Sequence, residues 1–398
     1  MKKVPFLFAL FLAAVLCRLN AEYKFFTPPG SFAVEVSLEN SPYPRLPAYR
    51  NAITSLAVVG DWVVGGTSAE KGLSPFLFAV SLSDRRMAYS VDLKELVAGQ
   101  RAIRSGFGAG ATGVLYCGTI PDTAGGDGHL LEVVVEGRAL VVHDLGVPVR
   151  GQGVFALTAD PGREALYGIT YPSGQFFARD LKTSKTTLLS DTVPGERDLV
   201  FLQNYALEPA DYLCRRLIQD RKGRVFGSMP VNRLFRYDPD TGRLSVLEAE
   251  LPEGWGRRAL GRVDAWTMAP DGALYGGCAG DGQLFRLDPD TGRVSNLGKP
   301  AQMPGMEGLA FAADGRIYGV AGGAPGYAHL FCYDPAAQNF TDLGNPRFEM
   351  KAPGIEQGIW WRGFQIGTLA ATPDGRQIVM GEEESLSQLL VFPVGPAR

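Results

Sequence analysis

Residues 264–298 have the sequence DAWTMAPDGALYGGCAGDGQLFRLDPDTGRVSNLG. This stretch predicts four short strands, at Asp264–Ala269, Ala273–Cys278, Gln283–Asp288 and Arg293–Leu297. The joints are Pro-Asp-Gly, Ala-Gly-Asp-Gly and Pro-Asp-Thr-Gly, which close tight turns because Pro fixes φ, Asp bonds nearby backbone and Gly adopts positive φ. The stretch therefore predicts an antiparallel meander. Its strands are apolar on both faces, so neighbouring sheets must cover it on both sides.

The same unit recurs along the chain. A second-strand pattern, hydrophobic residues ending in Gly, occurs seven times, at 62–65, 115–118, 166–168, 225–227, 274–276, 317–319 and 378–381. A hydrophobic pair typical of a third strand follows each one, as Leu284-Phe285 does here. Such a repeat predicts an all-β fold, a seven-bladed β-propeller of four-stranded antiparallel blades.

The two ends of the chain are expected to meet. Residues 22–40 contain strand-like sequence ahead of the first blade, and the last blade lacks a clear fourth strand. Because a closed ring leaves no unpaired edge, the N-terminal strand is predicted to complete blade 7.

The N-terminus is typical of a signal peptide. Met1-Lys2-Lys3 precedes an apolar run, Val4–Leu16, that is too short to span a bilayer as a mature helix. We predict a signal peptide over residues 1–21, cleaved after Ala21, and a single propeller domain over residues 22–398. The mature protein is then expected to be secreted or periplasmic.

The charge balance restricts the partners. Removal of Lys2, Lys3 and Arg18 leaves 36 basic against 42 acidic side chains. This acidic balance argues against a general nucleic-acid binder, and the chain has no signal for membrane attachment. A monomer is expected.

The cysteines of the mature chain indicate no metal site. Cys117, Cys214, Cys278 and Cys332 fall in or beside strands of four different blades. Their spacing does not resemble a zinc site, and buried free thiols are favoured, although an exported protein also permits a disulfide.

The loops predict which face binds a ligand. Connections between the first and second strands, and between the third and fourth, are minimal, whereas those that join one blade to the next are long. Function is usually carried by loops on a rigid scaffold, so the face with the long loops is the candidate binding face. Its aromatic rings suit sugar rings and its arginines suit carboxylate or sulfate, although long loops also need such residues for their own packing. The predicted binding residues are Arg233, Trp255, Trp360, Trp361 and Arg362.

Two of the three histidines, His129 and His143, belong to blade 2. If the hairpin between them turns over three residues, the two share a face; with two residues they point apart. Imidazole titrates near neutral pH, so a pair of histidines can divide acid and base work. The alternative is structural, because polar residues such as Gln283 and His329 occupy the position equivalent to His129.

Arg215 is predicted at the end of the inner strand of blade 4, in register with Asp264 and Glu307. From there, Arg215, Arg233 and Tyr171 are expected to approach the axial funnel. Proton removal beside a carboxylate requires that its charge be neutralised, by Arg or by a divalent metal. No cofactor is predicted other than a divalent metal in a structural or a charge-neutralising role.

The chain resembles a known family. The chain has a predicted export signal, blades with Leu-Tyr-Gly, Leu-Phe and Tyr-Asp-Pro-x-Thr-Gly motifs, and two histidines in one early blade. In these features it resembles the bacterial propeller-type polysaccharide lyases, of which ulvan lyases are the best example. The resemblance implies β-elimination on a uronate-containing polysaccharide, with or without sulfate. It implies proton transfer by His129 and His143, assistance by Tyr171, and neutralisation of the carboxylate by Arg215. Tyr205 and Tyr212 are alternatives to Tyr171.

A second interpretation stays open. A non-catalytic propeller that binds glycans or a protein partner would use the same aromatic, arginine-rich face. The Asp-Pro-Asp-Thr-Gly turns at 238–242 and 288–292 superficially resemble calcium loops, but they lack the later ligands and are typical of turns.

Overall fold

The computed structural model describes residues 25–36, 51–192, 200, 202–252, 261–301, 304–322, 328–346, 365–383 and 388–395. The predicted signal peptide, residues 1–21, lies outside these ranges. Within them, no helix is both long and apolar enough to cross a membrane.

Seven antiparallel sheets form a ring, which confirms the predicted β-propeller. We number the blades 1–7 in chain order, and each has an inner strand at the propeller axis, then a second, a third and an outer strand. Blade 1 comprises Asn51–Val59, Trp62–Ala69, Phe76–Ser81 and Arg86–Asp92, and blade 2 comprises Gly108–Ala109, Leu115–Gly118, Leu130–Glu136 and Ala139–Asp144. Blade 3 comprises Gly153–Asp160, Ala165–Tyr171, Gln175–Asp180 and Thr186–Asp191. Blade 4 comprises Ile218–Gln219, Val225–Met229, Arg233–Asp238 and Arg243–Glu250.

Blades 5–7 complete the ring. Blade 5 comprises Val263–Met268, Leu274–Cys278, Leu284–Leu287 and Val294–Gly298. Blade 6 comprises Met306–Phe311, Ile317–Ala321, His329–Asp334 and Asn339–Pro346. Blade 7 comprises Ile366–Ala371, Gln377–Glu382, Gln388–Pro393 and, from the N-terminus, Phe32–Glu35. Short strands at Phe25–Phe26, Gln100–Ala102 and Ile120–Pro121, a 3-10 helix at Leu93–Glu95 and an α-helix at Pro209–Tyr212 lie between or beside the blades. The strands predicted within residues 264–298 match those of blade 5 to within one residue at each end.

The N-terminal segment closes the ring. Phe32–Glu35 pairs antiparallel with Gln388–Pro393 and forms the outer strand of blade 7, as predicted. Phe25–Phe26 runs parallel to the end of the outer strand of blade 6, opposite Asn345 and Pro346. The segment therefore joins blades 6 and 7 and gives blade 7 its fourth strand.

The core is divided among the seams of the ring. In the described part of the chain, seven clusters of buried apolar side chains each lie between two neighbouring blades. The cluster between blades 7 and 1 includes Val379 and Val391 on one side and Ile53 and Phe78 on the other. Each blade is thus covered on both faces, as its apolar strands require.

The repeated Gly of the second strand has a packing cause. Gly276 pairs with Phe285 of the third strand, and a Cβ at Gly276 would overlap the Phe285 ring. The same pairing and the same overlap occur at Gly65 and Phe78, Gly168 and Phe177, Gly227 and Phe235, and Gly319 and Phe331. The two sequence signatures are therefore one packing feature shared by two strands.

The four cysteines are free and buried, which confirms the favoured prediction of buried thiols. Burial raises the pKa of the Cys117 and Cys278 thiols well above their ordinary range. Thiols in this state are inert at neutral pH, because the thiolate is the reactive form.

Candidate functional site

The inner strands of five blades contain a β-bulge near the end from which the long loops emerge. In each bulge one residue has no partner on the second strand, and these residues are Thr54, Phe155, Asp264, Glu307 and Gly367. Arg104 and Arg215 hold the equivalent positions ahead of the inner strands of blades 2 and 4. A bulge re-aims a side chain, and here neighbouring blades aim theirs at the axis. We call these seven positions the axial ring.

Three successive blades meet in this ring through ion pairs. Arg215 Nη1 of blade 4 lies 3.3 Å from Asp264 Oδ2 of blade 5 and 3.8 Å from Glu307 Oε2 of blade 6. Arg262 Nε donates to Asp264 Oδ1 at 2.7 Å, and its Nη2 donates to Asp264 Oδ2 at 3.0 Å. The Asp264 side chain is only 3% exposed. Asp264 is thus a buried carboxylate held by two guanidinium groups, which is the arrangement that a buried charge needs.

Blade 7 contributes its charge from a different strand. Its ring position is Gly367, and a Cβ there would lie 2.8 Å from Glu383 Cβ. Glu383 follows the second strand of blade 7, and its side chain occupies the space beside Gly367 that other blades fill from the inner strand. Glu383 Oε1 lies 3.9 Å from Arg104 Nη2 of blade 2, and these two side chains are 37% and 35% exposed.

Arg216 lies across the axis beneath the ring. Its guanidinium donates to the carbonyl oxygen of Thr54 at 3.2 Å and also to the carbonyl of Arg104. The indole of Trp266 donates to the Arg216 carbonyl at 3.2 Å. Arg216 therefore ties together residues from four blades and forms a floor for the space above it.

These side chains form the axial cluster, which we define as Arg104, Arg215, Arg216, Arg262, Asp264, Glu307 and Glu383. Four arginines face three carboxylates, so the cluster carries a net positive charge even when every carboxylate is ionised. Burial and repulsion from Arg215 lower the pKa of Arg216 to about 10, which still leaves it protonated at neutral pH. An excess of cations in a partly buried site attracts anions.

Glu307 differs from the other carboxylates of the cluster. Burial raises the pKa of its carboxyl to about 7; the charges of Asp264 and Glu383 add to this effect, and Arg215 opposes it. Asp264 shifts the other way, because the charges of Arg262 and Arg215 outweigh the effect of burial and hold its pKa below the ordinary value. Two carboxylates whose pKa values are pushed apart are typical of sites that carry out acid and base chemistry.

Tyr171 lies at the edge of this site. Its ring stacks on Phe155, the ring position of blade 3, with 5.2 Å between centroids and 24° between planes. Burial and the neighbouring charges of Glu208 and Tyr171 raise the pKa of Tyr212, so the two tyrosines are close to each other. Of the three residues predicted to approach the axial funnel, Arg215 belongs to the axial ring, Tyr171 contacts the ring residue Phe155, and Arg233 lies at the start of the third strand of blade 4.

His129 makes a contact within its own blade. Its Nδ1 lies 2.9 Å from Asp144 Oδ1, and the same oxygen accepts the backbone N–H of Gly146. An equivalent arrangement occurs in blade 6, formed by His329, Asp342 and Gly344, and in blade 5, formed by Gln283, Asn296 and Gly298. Because three blades share it, this arrangement indicates that the polar pair holds the third strand to the outer strand.

His143 does not join His129. The hairpin turns over two residues, with Glu136 opposite Ala139. Of the two predicted alternatives, a shared face or opposite faces, the structure therefore has His129 and His143 on opposite faces. Adjacent strand residues face opposite sides, and Asp144 faces His129. His143 is exposed on the outer strand, whereas Arg215 lies at the axis. The structure therefore does not assemble the two histidines with Arg215, and their catalytic role stays a prediction.

The remaining predicted binding residues divide into two groups. Arg233 begins the third strand of blade 4 and donates to the Pro230 carbonyl from Nε at 3.2 Å and from Nη2 at 2.6 Å. Trp255, Trp360, Trp361 and Arg362 lie outside the described residues.

Sequence reasoning missed much of the axial cluster. It placed Arg215 in register with Asp264 and Glu307, but it did not single out Arg104 or Glu383. The available signal was a charged residue at the same point of an otherwise apolar inner strand. Glu383 gave no such signal, because it reaches the ring from the second strand of its blade.

Within the described residues, no group of three or more His, Cys, Asp or Glu side chains is close enough together to hold a metal ion. The carboxylates of the axial cluster are instead neutralised by arginines.

The chain matches no protein-family model and no curated protein. Similar solved structures include a streptogramin B lyase, at 10% identity over 92% of this chain and 98% of that chain, with a TM-score of 0.61. The virginiamycin B lyase of Staphylococcus aureus has 9% identity, covers 92% of this chain and 100% of its own, and has a TM-score of 0.62.

A protein of another kind is equally similar. The WD40 repeats of RRP9 have 10% identity over 94% of this chain and all of that chain, with a TM-score of 0.61. The same fold thus serves lyases and repeat domains, and function has to be argued from the site. The comparisons show that this chain has the seven-bladed propeller fold, and they contain no family evidence for a polysaccharide lyase.

Proposed function

We propose that the protein is an exported lyase that acts at the axial cluster on a uronate-containing, anionic polysaccharide. Its reaction is β-elimination. A base removes the proton beside the uronate carboxylate, the bond to the glycosidic oxygen breaks, and that oxygen takes up a proton as it leaves. The products are one sugar end with a new double bond and one ordinary sugar end.

The observation that supports this most is the state of Glu307. A general base works best when its pKa is near the working pH, because it is then partly ionised yet still basic. Burial brings the pKa of Glu307 to about 7, whereas its neighbour Asp264 is held ionised by Arg262 and Arg215. Glu307 lies 3.8 Å from Arg215, beyond hydrogen-bond distance, so its oxygen can accept a proton from a substrate.

The arginines supply the second requirement. Removing a proton beside a carboxylate builds negative charge on that carboxylate, and fixed cations in a water-poor site stabilise such charge. The axial cluster has more arginines than carboxylates, and 35% of the Arg104 side chain is exposed to solvent. The cluster therefore suits an anionic sugar better than a neutral one.

The similarity to two proteins whose names identify them as lyases is compatible with this proposal, although it concerns the fold alone. Tyr171, beside Phe155, is the proposed donor to the leaving oxygen, with Tyr212 as the alternative. In this proposal, His129 and His143 are an alternative proton-transfer pair, separate from the axial cluster.

The proposal is tested by product formation. The mature protein would be incubated with a panel of uronate polysaccharides while the ultraviolet absorbance of the unsaturated uronate end is followed. Activity that is lost in Glu307→Gln but kept in the His129→Ala, His143→Ala double variant supports the axial site. The reverse result assigns the chemistry to blade 2, and no product from any substrate rejects the lyase.

A binding propeller without catalysis is the second candidate. Its support is that Asp264, the most buried carboxylate of the cluster, is fully paired with arginines, as in a structural network. This candidate predicts retained affinity for anionic glycans and no unsaturated product. The same incubation, combined with a binding measurement, separates the two.

A further inference from the structure

The ion pairs of the axial cluster differ in how tightly they are made. Asp264 receives hydrogen bonds of 2.7 Å and 3.0 Å from Arg262 and is almost fully buried. The Arg104–Glu383 pair is 3.9 Å long, and more than a third of each side chain faces solvent. A guanidinium that makes a long, exposed ion pair loses little when another anion replaces its partner.

We infer that Glu383 is a replaceable counter-ion of Arg104, and that the carboxylate or sulfate of an anionic ligand takes its place. This inference rests on the proposed function for the identity of the ligand. To the proposed function it adds that Arg104 recognises the anion of the ligand and that the Glu383 carboxylate competes with this anion for Arg104.

The position of Arg104 supports this role. It comes from blade 2, across the ring from Glu307 of blade 6, and the floor formed by Arg216 bonds its carbonyl oxygen. The Arg215 side chain is only 14% exposed, whereas that of Arg104 is 35% exposed. Of these two ring arginines, Arg104 is therefore the one that an incoming anion can reach more easily.

The position of Glu383 supports the exchange. Its stem fills the space beside Gly367, and only its backbone is tied to the inner strand, through the N–H that donates to the Gln365 carbonyl at 2.9 Å. Rotation of the side chain away from Arg104 therefore breaks no backbone hydrogen bond. A methyl group at Gly367 would contact the Glu383 stem and would disturb its position without changing any charge.

The test measures binding to the native protein, because the three ligands used have no glycosidic bond that the protein could cleave. D-glucuronate, its methyl ester and inorganic sulfate are titrated separately by ligand-observed NMR. Arg104→Ala should weaken glucuronate binding by about tenfold or more, since it removes a charge-assisted hydrogen bond. Glu383→Gln should tighten it by roughly two- to fivefold, the range of an exposed ion pair. The uncharged ester should not respond to either change.

The controls separate this exchange from other effects. Glu95→Gln, in the exposed 3-10 helix, makes the same change in net charge and should leave binding unaltered. Gly367→Ala should tighten binding as Glu383→Gln does, and Arg104→Lys should give an intermediate loss if Arg104→Ala fails to fold. Stronger binding of sulfate than of glucuronate would identify a sulfate group as the replacing anion.

Two outcomes overturn the inference. One is unchanged binding in Arg104→Ala, and the other is weaker binding in Glu383→Gln. If glucuronate or sulfate binds through Arg104 but no polysaccharide is cleaved, the inference stands and the lyase fails. If cleavage is observed and survives Arg104→Ala, the lyase stands and the inference fails.

Discussion

Two polar sites of this propeller look alike and differ in one respect. The pair of His129 and Asp144 in blade 2 has counterparts in blades 5 and 6, built from the same positions with other side chains. The site of Glu307 and Arg215 has no counterpart among the described residues, because the ring positions differ between blades: Arg in blades 2 and 4, Asp in blade 5, Glu in blade 6 and uncharged residues in the others. In a repeat protein, a contact that recurs in several repeats is expected to stabilise each repeat. A site to which the repeats contribute unlike side chains can instead carry the function of the whole molecule.

Replacement of Glu307 tests most directly which of the two sites carries the chemistry. If the protein is a lyase, Glu307→Gln should slow elimination by about 10²- to 10⁴-fold, the usual loss for a general base. His129→Gln, which copies the residue that blade 5 has at that position, should change the rate less than about twofold. Initial rates with one substrate, measured for both variants with circular dichroism as a check of folding, decide between the two sites. A larger loss in His129→Gln would reverse the assignment.

A repeated feature should instead control stability. Gly276→Ala places a methyl group against the Phe285 ring, and overpacking of this kind typically costs about 1–3 kcal/mol of unfolding free energy. Urea denaturation of this variant and of Gly137→Ala measures the effect. Gly137 is a suitable control because a Cβ there meets no neighbour, and only its positive φ of 56° opposes the change. Equal losses in the two variants would contradict the packing explanation.

The raised pKa of Glu307 predicts a pH dependence. The folded protein holds this proton until about pH 7, while an unfolded chain releases it near pH 4.5. Its contribution to stability is therefore present at low pH and is lost as pH rises from about 4.5 to 7. Thermal unfolding of the native protein and Glu307→Gln should show that the variant gains relative stability between pH 5 and pH 8. A constant difference across this range would mean that the pKa of Glu307 is not raised.

The same proton predicts how the rate depends on pH. A base must be ionised, so the elimination rate should rise with pH and level off above about 7. The pH profile of kcat/KM measures this in the free enzyme. A profile that is flat between pH 5 and 8 would exclude Glu307 as the base.

The smallest effect is expected at the hairpin pairs. His129→Gln and His329→Gln should each change the unfolding free energy by about 1 kcal/mol or less, the usual value of one hydrogen bond. Gln283 and Asn296 already form this contact in blade 5 at 2.6 Å, so the backbone accepts it. A loss of several kcal/mol at His129 alone would show that blade 2 differs from the other blades.

The blades follow from local patterns in the sequence. Alternation of side chains, tight turns with Gly, and the pairing of a second-strand Gly with a third-strand Phe are all set within a few tens of residues. For this reason the strands of blade 5 were predicted to within one residue, and the N-terminal strand was correctly assigned to blade 7. Burial of the cysteines also followed from the strand pattern.

The full axial cluster could not be predicted from such patterns, although they did place Arg215 in register with Asp264 and Glu307. Its residues come from five blades, so closure of the ring brings them together, and in blades 5 and 6 a bulge in the inner strand decides that Asp264 and Glu307 are aimed inward. The sequence also left the length of the turn in blade 2 undecided, and a difference of one residue decides whether His129 and His143 share a face. Glu383 shows the limit most clearly: it reaches the axis because Gly367, on another strand, has no side chain there, and such a vacancy becomes visible only when the two strands lie side by side.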